Sequence, residues 1–375
     1  MMPNTDTKLE AQQPLAVAVP EPKMSRPKGE VRKLVLARSS PAAPDISAVA
    51  WSPDGRLIAT AHNANLSVTV WDAGSLKVVK ELKQATKGFG LRNVAFSPDG
   101  RYLVAGLRTI SVWTTNDWAK QAELVAPHID RARPQVGGIQ ALGFNPDGSL
   151  LAVAYGGQQA IVIGYDFPKG AIRWTYEPKA VQGTPSVATG IVFSADGRRL
   201  MFGTGEVGRD TDGSPTRSSA IAVLDSWTGI QERRIDRIHV DHPTALAISP
   251  DDKWLVSATS TGTVTQTANL KTKQRITREN NDPVRVWNIN NGGLLKELPV
   301  QSRVWSLVVT KDGRYVIGSR SDHKNQLTLV MWDVEAAAIA QEIQTREVSI
   351  ALALSSDGRE LAGAAGKELV IYGLQ

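Results

Sequence analysis

Ser52-Pro53-Asp54-Gly55 is a turn with a local mechanism. The proline presets φ at the second position, the aspartate bonds its own backbone, and the glycine accepts a left-handed conformation. Apolar runs flank it, Ala48-Val49-Ala50-Trp51 before and Leu57-Ile58-Ala59-Thr60 after, so the stretch reads as a β-hairpin. The turn returns as Ser97-Pro98-Asp99-Gly100, Asn145-Pro146-Asp147-Gly148 and Ser194-Ala195-Asp196-Gly197. Three further copies are Ser249-Pro250-Asp251-Asp252, Thr310-Lys311-Asp312-Gly313 and Ser356-Asp357-Gly358. The aspartates lie 45, 48, 49, 55, 61 and 45 residues apart. Seven ordered copies at such a period predict a repeat architecture.

Composition narrows the class. The chain has 375 residues, 42% of them hydrophobic, with 32 glycines and 20 prolines. Length alone would suggest two or three domains, but seven copies fit one closed ring. Helical apolar spacing is almost absent, which predicts an all-β protein. There is no cysteine, so disulfides, a zinc knuckle and a thiol nucleophile are excluded. No run approaches the roughly 18 apolar residues of a membrane helix. The segment Pro14–Pro20 is too short and too proline-flanked for a signal peptide, so a cytoplasmic location is expected. The net charge of +6 permits an acidic partner without demanding one.

Taken in order, residues 1–29 are rich in Pro, Gln, Lys and Glu and are expected to form a disordered tail. Residues 31–37 read as a strand with no hairpin partner beside it. Each repeat then shows four apolar runs, a to d. In the first copy these are Ile46–Trp51, Leu57–Ala61, Ser67–Trp71 and Lys77–Leu82. Run c ends on Trp71-Asp72, Trp113-Thr114, Tyr165-Asp166, Leu224-Asp225, Trp287-Asn288, Trp332-Asp333 and Tyr372-Gly373. An aromatic there offers a large buried surface between neighbouring units.

With the Trp-Asp dipeptide and the Ser-Pro-Asp-Gly turn at this period, residues 31–375 resemble the WD-repeat β-propeller family. The resemblance implies an all-β, seven-bladed propeller of four-stranded antiparallel blades. The blades would fall near 46–83, 90–126, 138–178, 187–237, 243–298, 303–344 and 347–375, with 30–38 completing the last. Members of the family usually carry a Gly-His dipeptide before strand a that bonds into a Ser/Asp/Trp network. Here only His239 falls at the matching distance, with no glycine before it, so most blades are expected to lack that network. The seventh copy stops after strand c, at Leu369–Tyr372, and the orphan strand 31–37 is its natural fourth strand. Pairing them would remove an exposed sheet edge.

The spacings locate the insertions. From turn aspartate to run-c residue the intervals are 17, 14, 18, 28, 36, 20 and 15, so blades four and five carry long b–c connections, Thr204–Ser219 and Thr259–Asp282. The d–a connections entering blades three and four are also long, at Pro127–Gly138 and Pro178–Ser186. Blade five has two parses. Residues 262–267 and 274–277 could be its strands c and d, or an extra hairpin in the b–c connection. The second is preferred because Val284–Trp287 makes the better strand c.

In an antiparallel blade the b–c and d–a connections share one face. Loops of this length on a rigid frame commonly carry function. The inserted segments hold eleven basic residues against seven acidic ones, a surplus of +4. The candidate partner-binding residues are Arg131, Arg133, Arg209, Arg217, Lys271, Lys273, Arg275, Arg278, Arg320, His323 and Lys324. They suit an acidic protein. A nucleic-acid backbone fits less well, because these loops lack aromatics to stack bases.

No catalytic, cofactor or metal site is expected. Gly203-Thr-Gly205-Glu-Val-Gly208 matches a dinucleotide fingerprint by letter, but no helix follows it. Asp210-Thr-Asp212-Gly213 has too few oxygen ligands for a calcium loop. His239 and His242 have no glutamate to complete a zinc protease motif, and no G-x-S-x-G elbow occurs. The sequence therefore reads as a non-enzymatic protein-interaction scaffold, a monomeric propeller within a complex. The alternatives are a lactonase-like propeller hydrolase with a site at the channel and an RNA-associated propeller.

Overall fold

A computed structural model describes residues 32–41, 45–83, 91–125, 136–157, 160–178, 186–209, 215–239, 241–259, 263–269, 274–279, 282–300, 303–321, 327–345, 351–365 and 367–375. The expected tail, residues 1–29, lies outside them. The described strands form seven four-stranded antiparallel sheets in a ring, a seven-bladed β-propeller. The blades span 46–83, 93–125, 136–176, 186–236, 245–298, 303–345 and 352–374, the last completed by Leu34–Ser39. Sheets three and four also touch through one backbone pair, Gly157 with Ser186.

The core lies between blades. The described buried apolar residues fall into seven clusters, one at each blade junction. Strands b and c supply most of them. Strand d runs along the rim, and in Val78–Lys83 only Leu82 is buried. The run-c residues Trp71, Trp113, Tyr165, Leu224, Trp287, Trp332 and Tyr372 are all buried at these junctions, as their bulk predicts.

The ring closes as the loose ends of the sequence require. Leu34–Ser39 pairs antiparallel with Glu368–Leu374, from Leu34↔Leu374 to Ser39↔Val370. The strand runs to Ser39, two residues past the expected 37, and the Lys33 N–H and carbonyl also bond Gln375. Leu34 is buried, and Gln341 of blade six clamps its backbone, accepting from the Leu34 N–H at 2.8 Å and donating to the Leu34 carbonyl at 3.0 Å. Arg38 grips Glu360 with two bonds of 2.6 and 2.9 Å and donates to the Ala73 carbonyl of blade one.

Blade five follows the preferred parse. Trp254–Ala258 pairs directly with Val284–Asn288, and Thr263–Asn269 pairs with Gln274–Glu279 as a separate hairpin. Blade four differs from the expected loop. Its strands b and c, Arg199–Arg209 and Pro215–Asp225, continue in register through the glycine-rich stretch to Arg209↔Pro215. Gly203 and Gly205 are where Pro243 and His242 press against the strand, each within 2.3 Å of where a Cβ would sit. Those glycines serve close packing, and no phosphate-binding turn forms.

Candidate interaction faces

The a–b turns occupy one face of the ring, and all seven repeat one geometry. In the first, the Ser52 hydroxyl donates to Asp54 at 2.6 Å, the same carboxylate accepts from the Arg56 N–H, and the Ser52 hydroxyl accepts from the Leu57 N–H. The fourth residue has positive φ in every copy, +57° for Asp252 and between +67° and +75° for the six glycines. The seventh copy is complete, because Ser355 supplies the capping hydroxyl. The Ser52 and Ser194 hydroxyls are the main cause that holds Asp54 and Asp196 below the usual carboxylate range.

Neighbouring turns also touch. Gly148 and Gly197 face the Cδ atoms of Pro98 and Pro146, where a Cβ would stand 3.3 Å away. Blade five departs from this in a coupled way. Its fourth residue is Asp252, and the facing residue in blade four is Ala195, which keeps the N–H a proline lacks. Both Asp252 oxygens accept from the Ala195 N–H at 2.8 Å.

The c–d turns share this face. Each begins on the residue after the run-c position, and its fifth residue is left-handed: Leu76, Trp118, Gly170, Gly229, Gly292 and Ala337. The second residue of each donates to the a–b turn of its own blade, as Ser226 N–H does to the Arg198 carbonyl at 2.8 Å. Between blades three and four a cleft of about 440 Å³ opens, lined by Asn145, Asp147, Asp196, Arg198, Asp225 and Trp227 among others.

The opposite face carries the long connections. Blades four and five, adjacent in the ring, both send hairpins beyond the blade there. Of the candidate binding residues, Arg209 and Arg217 lie on the blade-four hairpin, at Arg209↔Pro215 and Val207↔Arg217. Arg275 and Arg278 lie on the blade-five hairpin, opposite Thr267 and Val264. Arg320 is in strand Tyr315–Ser321, with an ion pair of 2.9 Å to Glu342 of the same blade. Arg131, Arg133, Lys271, Lys273, His323 and Lys324 lie outside the described residues, as does Asp210-Thr-Asp212-Gly213.

A buried network anchors the blade-five hairpin. Trp287 Nε1 donates to the Ser257 hydroxyl at 2.8 Å, and His239 Nε2 lies 2.8 Å from the same oxygen. His239 Nδ1 lies 3.1 Å from Asp282 Oδ2, and Arg285 donates to Asp282 Oδ1 at 2.8 Å. Asp282 follows the inserted hairpin directly, so the network fixes where the chain re-enters the blade. The expected Ser/Asp/Trp set is thus complete around His239, although its aspartate sits far away in sequence. Blade one holds a variant: Trp71 Nε1 donates to the Thr60 hydroxyl at 2.8 Å, and His62 Nε2 bonds the Thr60 and Thr69 hydroxyls. His62 comes from the end of strand b, so a search for a histidine ahead of strand a passes over it. His242 is half-buried beside Asp241.

Comparison with known proteins agrees with this geometry. The family model for the WD domain, G-beta repeat, matches residues 35–72, 76–114 and 235–265. The first match begins in the ring-closing strand and ends with strand c of blade one, so each sequence repeat is offset from its blade by one strand. Three stretches of this seven-bladed β-propeller are thus WD repeats. Among curated proteins, this propeller is 25% identical over 312 residues to "Cell division cycle 20.1, cofactor of APC complex" of Arabidopsis thaliana, covering 82% of this chain and 59% of that protein. It is 28% identical over 165 residues to the WD repeat-containing protein WRAP73 of Mus musculus, covering 40% of this chain and 33% of that one. It is 26% identical over 165 residues to the uncharacterized WD repeat-containing protein sll1491 of a Synechocystis strain, covering 44% and 42%. The chain spans between a third and three-fifths of the length of these curated relatives.

Proposed function

We propose that this WD-repeat propeller is a non-enzymatic interaction scaffold. It binds an acidic protein partner through the face that carries the b–c and d–a connections, working as a monomer in a cytoplasmic complex. The observation that supports the reading is the pair of prolonged hairpins on adjacent blades four and five, which bear Arg209, Arg217, Arg275 and Arg278. A closed ring holds such elements in fixed relative positions, so little ordering entropy is lost on binding. The similarity to a protein named as a cofactor of a complex agrees with a partner-binding role.

The test is affinity capture from native lysate, with and without nuclease. It compares the wild-type chain with a variant in which Lys271, Lys273, Arg275 and Arg278 are glutamate. A protein partner that survives nuclease and is lost from the variant is the expected result. Loss on nuclease treatment, with binding that falls steeply with salt, would support an RNA-associated propeller instead. Identical capture by both forms would remove the basic hairpin from the reading.

A further inference from the structure

The repeats supply their own internal comparison, and blade four stands apart in it. The third residue of the c–d turn faces solvent and is Gly74, Asn116, Pro168, Asn290 or Glu335 in five blades. In blade four it is Trp227, 61% exposed. The sixth residue is Lys77, Ala119, Ala171, Gly293 or Ala338 elsewhere, and in blade four it is Ile230, 66% exposed. The turn does not need these side chains, since the same backbone bonds form in the other blades. Leaving a tryptophan and an isoleucine in water on one short turn is unfavourable unless something covers them.

Trp227 is also held in place. The Arg173 guanidinium of blade three stacks on its ring, 3.3 Å from the centroid. Arg173 is in turn fixed by Asp166, and the neighbouring Trp174 donates to the Ser226 carbonyl at 2.8 Å. An aromatic fixed before binding loses little side-chain freedom on contact, a property of interface anchors.

The cleft beside Trp227 indicates what would cover it. Six of the seven a–b turns are followed by a basic residue: Arg56, Arg101, Arg198, Lys253, Arg314 and Arg359. The blade-three turn is followed by Ser149, so Asp147 has no base next to it in the turn, and the cation that acts on its charge is Arg173. Asp147, Asp196 and Asp225 line the cleft against the single lining base Arg198, whose side chain is 85% exposed and only 4.0 Å from Asp196. Hydroxyl and backbone donors keep all three carboxyls below the usual range, with Ser149, Ser194 and Thr228 the leading donors, so they stay charged near neutral pH.

We propose that the cleft between blades three and four, on the turn face, docks a short extended protein segment that carries a lysine or arginine beside an apolar side chain. The cation lies among Asp147, Asp196 and Asp225, and the apolar side chain covers Trp227 and Ile230. This site is on the opposite face from the basic hairpins and does not depend on them. The cleft volume is within the range of about 300–1,000 Å³ typical of ligand sites.

The test uses the full chain labelled with fluorotryptophan and followed by fluorine NMR, with the Trp227 resonance assigned from Trp227→Phe. The probes are a pooled set of short peptides built from lysine, arginine, leucine, isoleucine and serine, and a matched set with glutamate in place of the bases. The basic set should shift the Trp227 resonance and the acidic set should leave it unmoved. Trp227→Ser should weaken binding about tenfold or more. Asp225→Asn should weaken it severalfold with an intact fold, because an asparagine, Asn288, caps the equivalent turn of blade five by accepting from the Asn290 and Asn291 N–H groups. An unmoved resonance at millimolar basic peptide, an equal response to both sets, or unchanged affinity in Trp227→Ser would overturn the proposal. So would a Trp227 shift that follows protein concentration alone, which would make a second copy the occupant.

Discussion

The ring-closing strand is the sharpest place to test the fold. Leu34 is 3% exposed and packs at the junction of blades six and seven with Tyr315, Leu329 and Leu374. Replacing it with alanine removes three carbons from a packed site, which costs about 2–5 kcal/mol, depending on how far the site collapses. Set against a typical total of about 5–15 kcal/mol, that is a large fraction of the stability. Arg38→Ala should cost less. Its carboxylate pair is a quarter to a third exposed, at 26% and 31%, so solvent screening leaves it on the order of 1 kcal/mol. Removing residues 1–40 is the severe case. It strips five paired positions from Glu368–Leu374 and leaves that strand as an open edge. The assay is urea unfolding by tryptophan fluorescence, with light scattering after size exclusion to report association. Leu34→Ala should lower the midpoint markedly, and the truncated chain should self-associate. A truncated chain that stays monomeric with an unchanged midpoint would refute the reasoning, because the closing strand would then contribute nothing to the ring.

Two more outcomes follow from the side-chain networks. Ala195→Pro restores the residue found at this turn position in four other blades but removes the N–H that Asp252 accepts. It should destabilise by about 1 kcal/mol alone, while Ala195→Pro with Asp252→Gly should recover most of the loss; a double-mutant cycle with coupling near zero would contradict the contact. Asp282→Ala leaves His239 and Arg285 without their shared carboxylate and should cost about 1.5–3 kcal/mol in thermal or urea unfolding, whereas an effect below about 0.5 kcal/mol would show that the network does not anchor the blade-five hairpin.

Much of the architecture was legible in the chain itself. The Ser-Pro-Asp-Gly turns are determined by local chemistry, so seven copies mark seven hairpins wherever they end up in space. The two unmatched ends, a lone strand before the first repeat and a missing strand after the last, could be satisfied together by one pairing. The parse of blade five was legible too, because Val284–Trp287 has the apolar alternation of a buried strand. The extent of the closing strand was not, since Leu34, Arg38 and their partners Gln341 and Glu360 meet only across some 300 residues of chain.

The site was far less legible. Charge in the insertions pointed to one face, and adjacency of blades four and five in the ring gave that face its paired hairpins. Nothing in the sequence marks Trp227, Ile230 and the cleft, because Ser226-Trp227-Thr228-Gly229 reads as an ordinary turn. Whether its tryptophan is buried depends on the neighbouring blade. In the same way, Asp282 lies 43 residues beyond His239, and only the return of strand c beside strand b brings the two together. Turn chemistry and strand alternation are short-range properties, so the sequence by itself determined the repeats, the all-β class and the closed ring. Burial, clefts and charge networks form between elements distant in sequence, and those were decided only when the blades packed against one another.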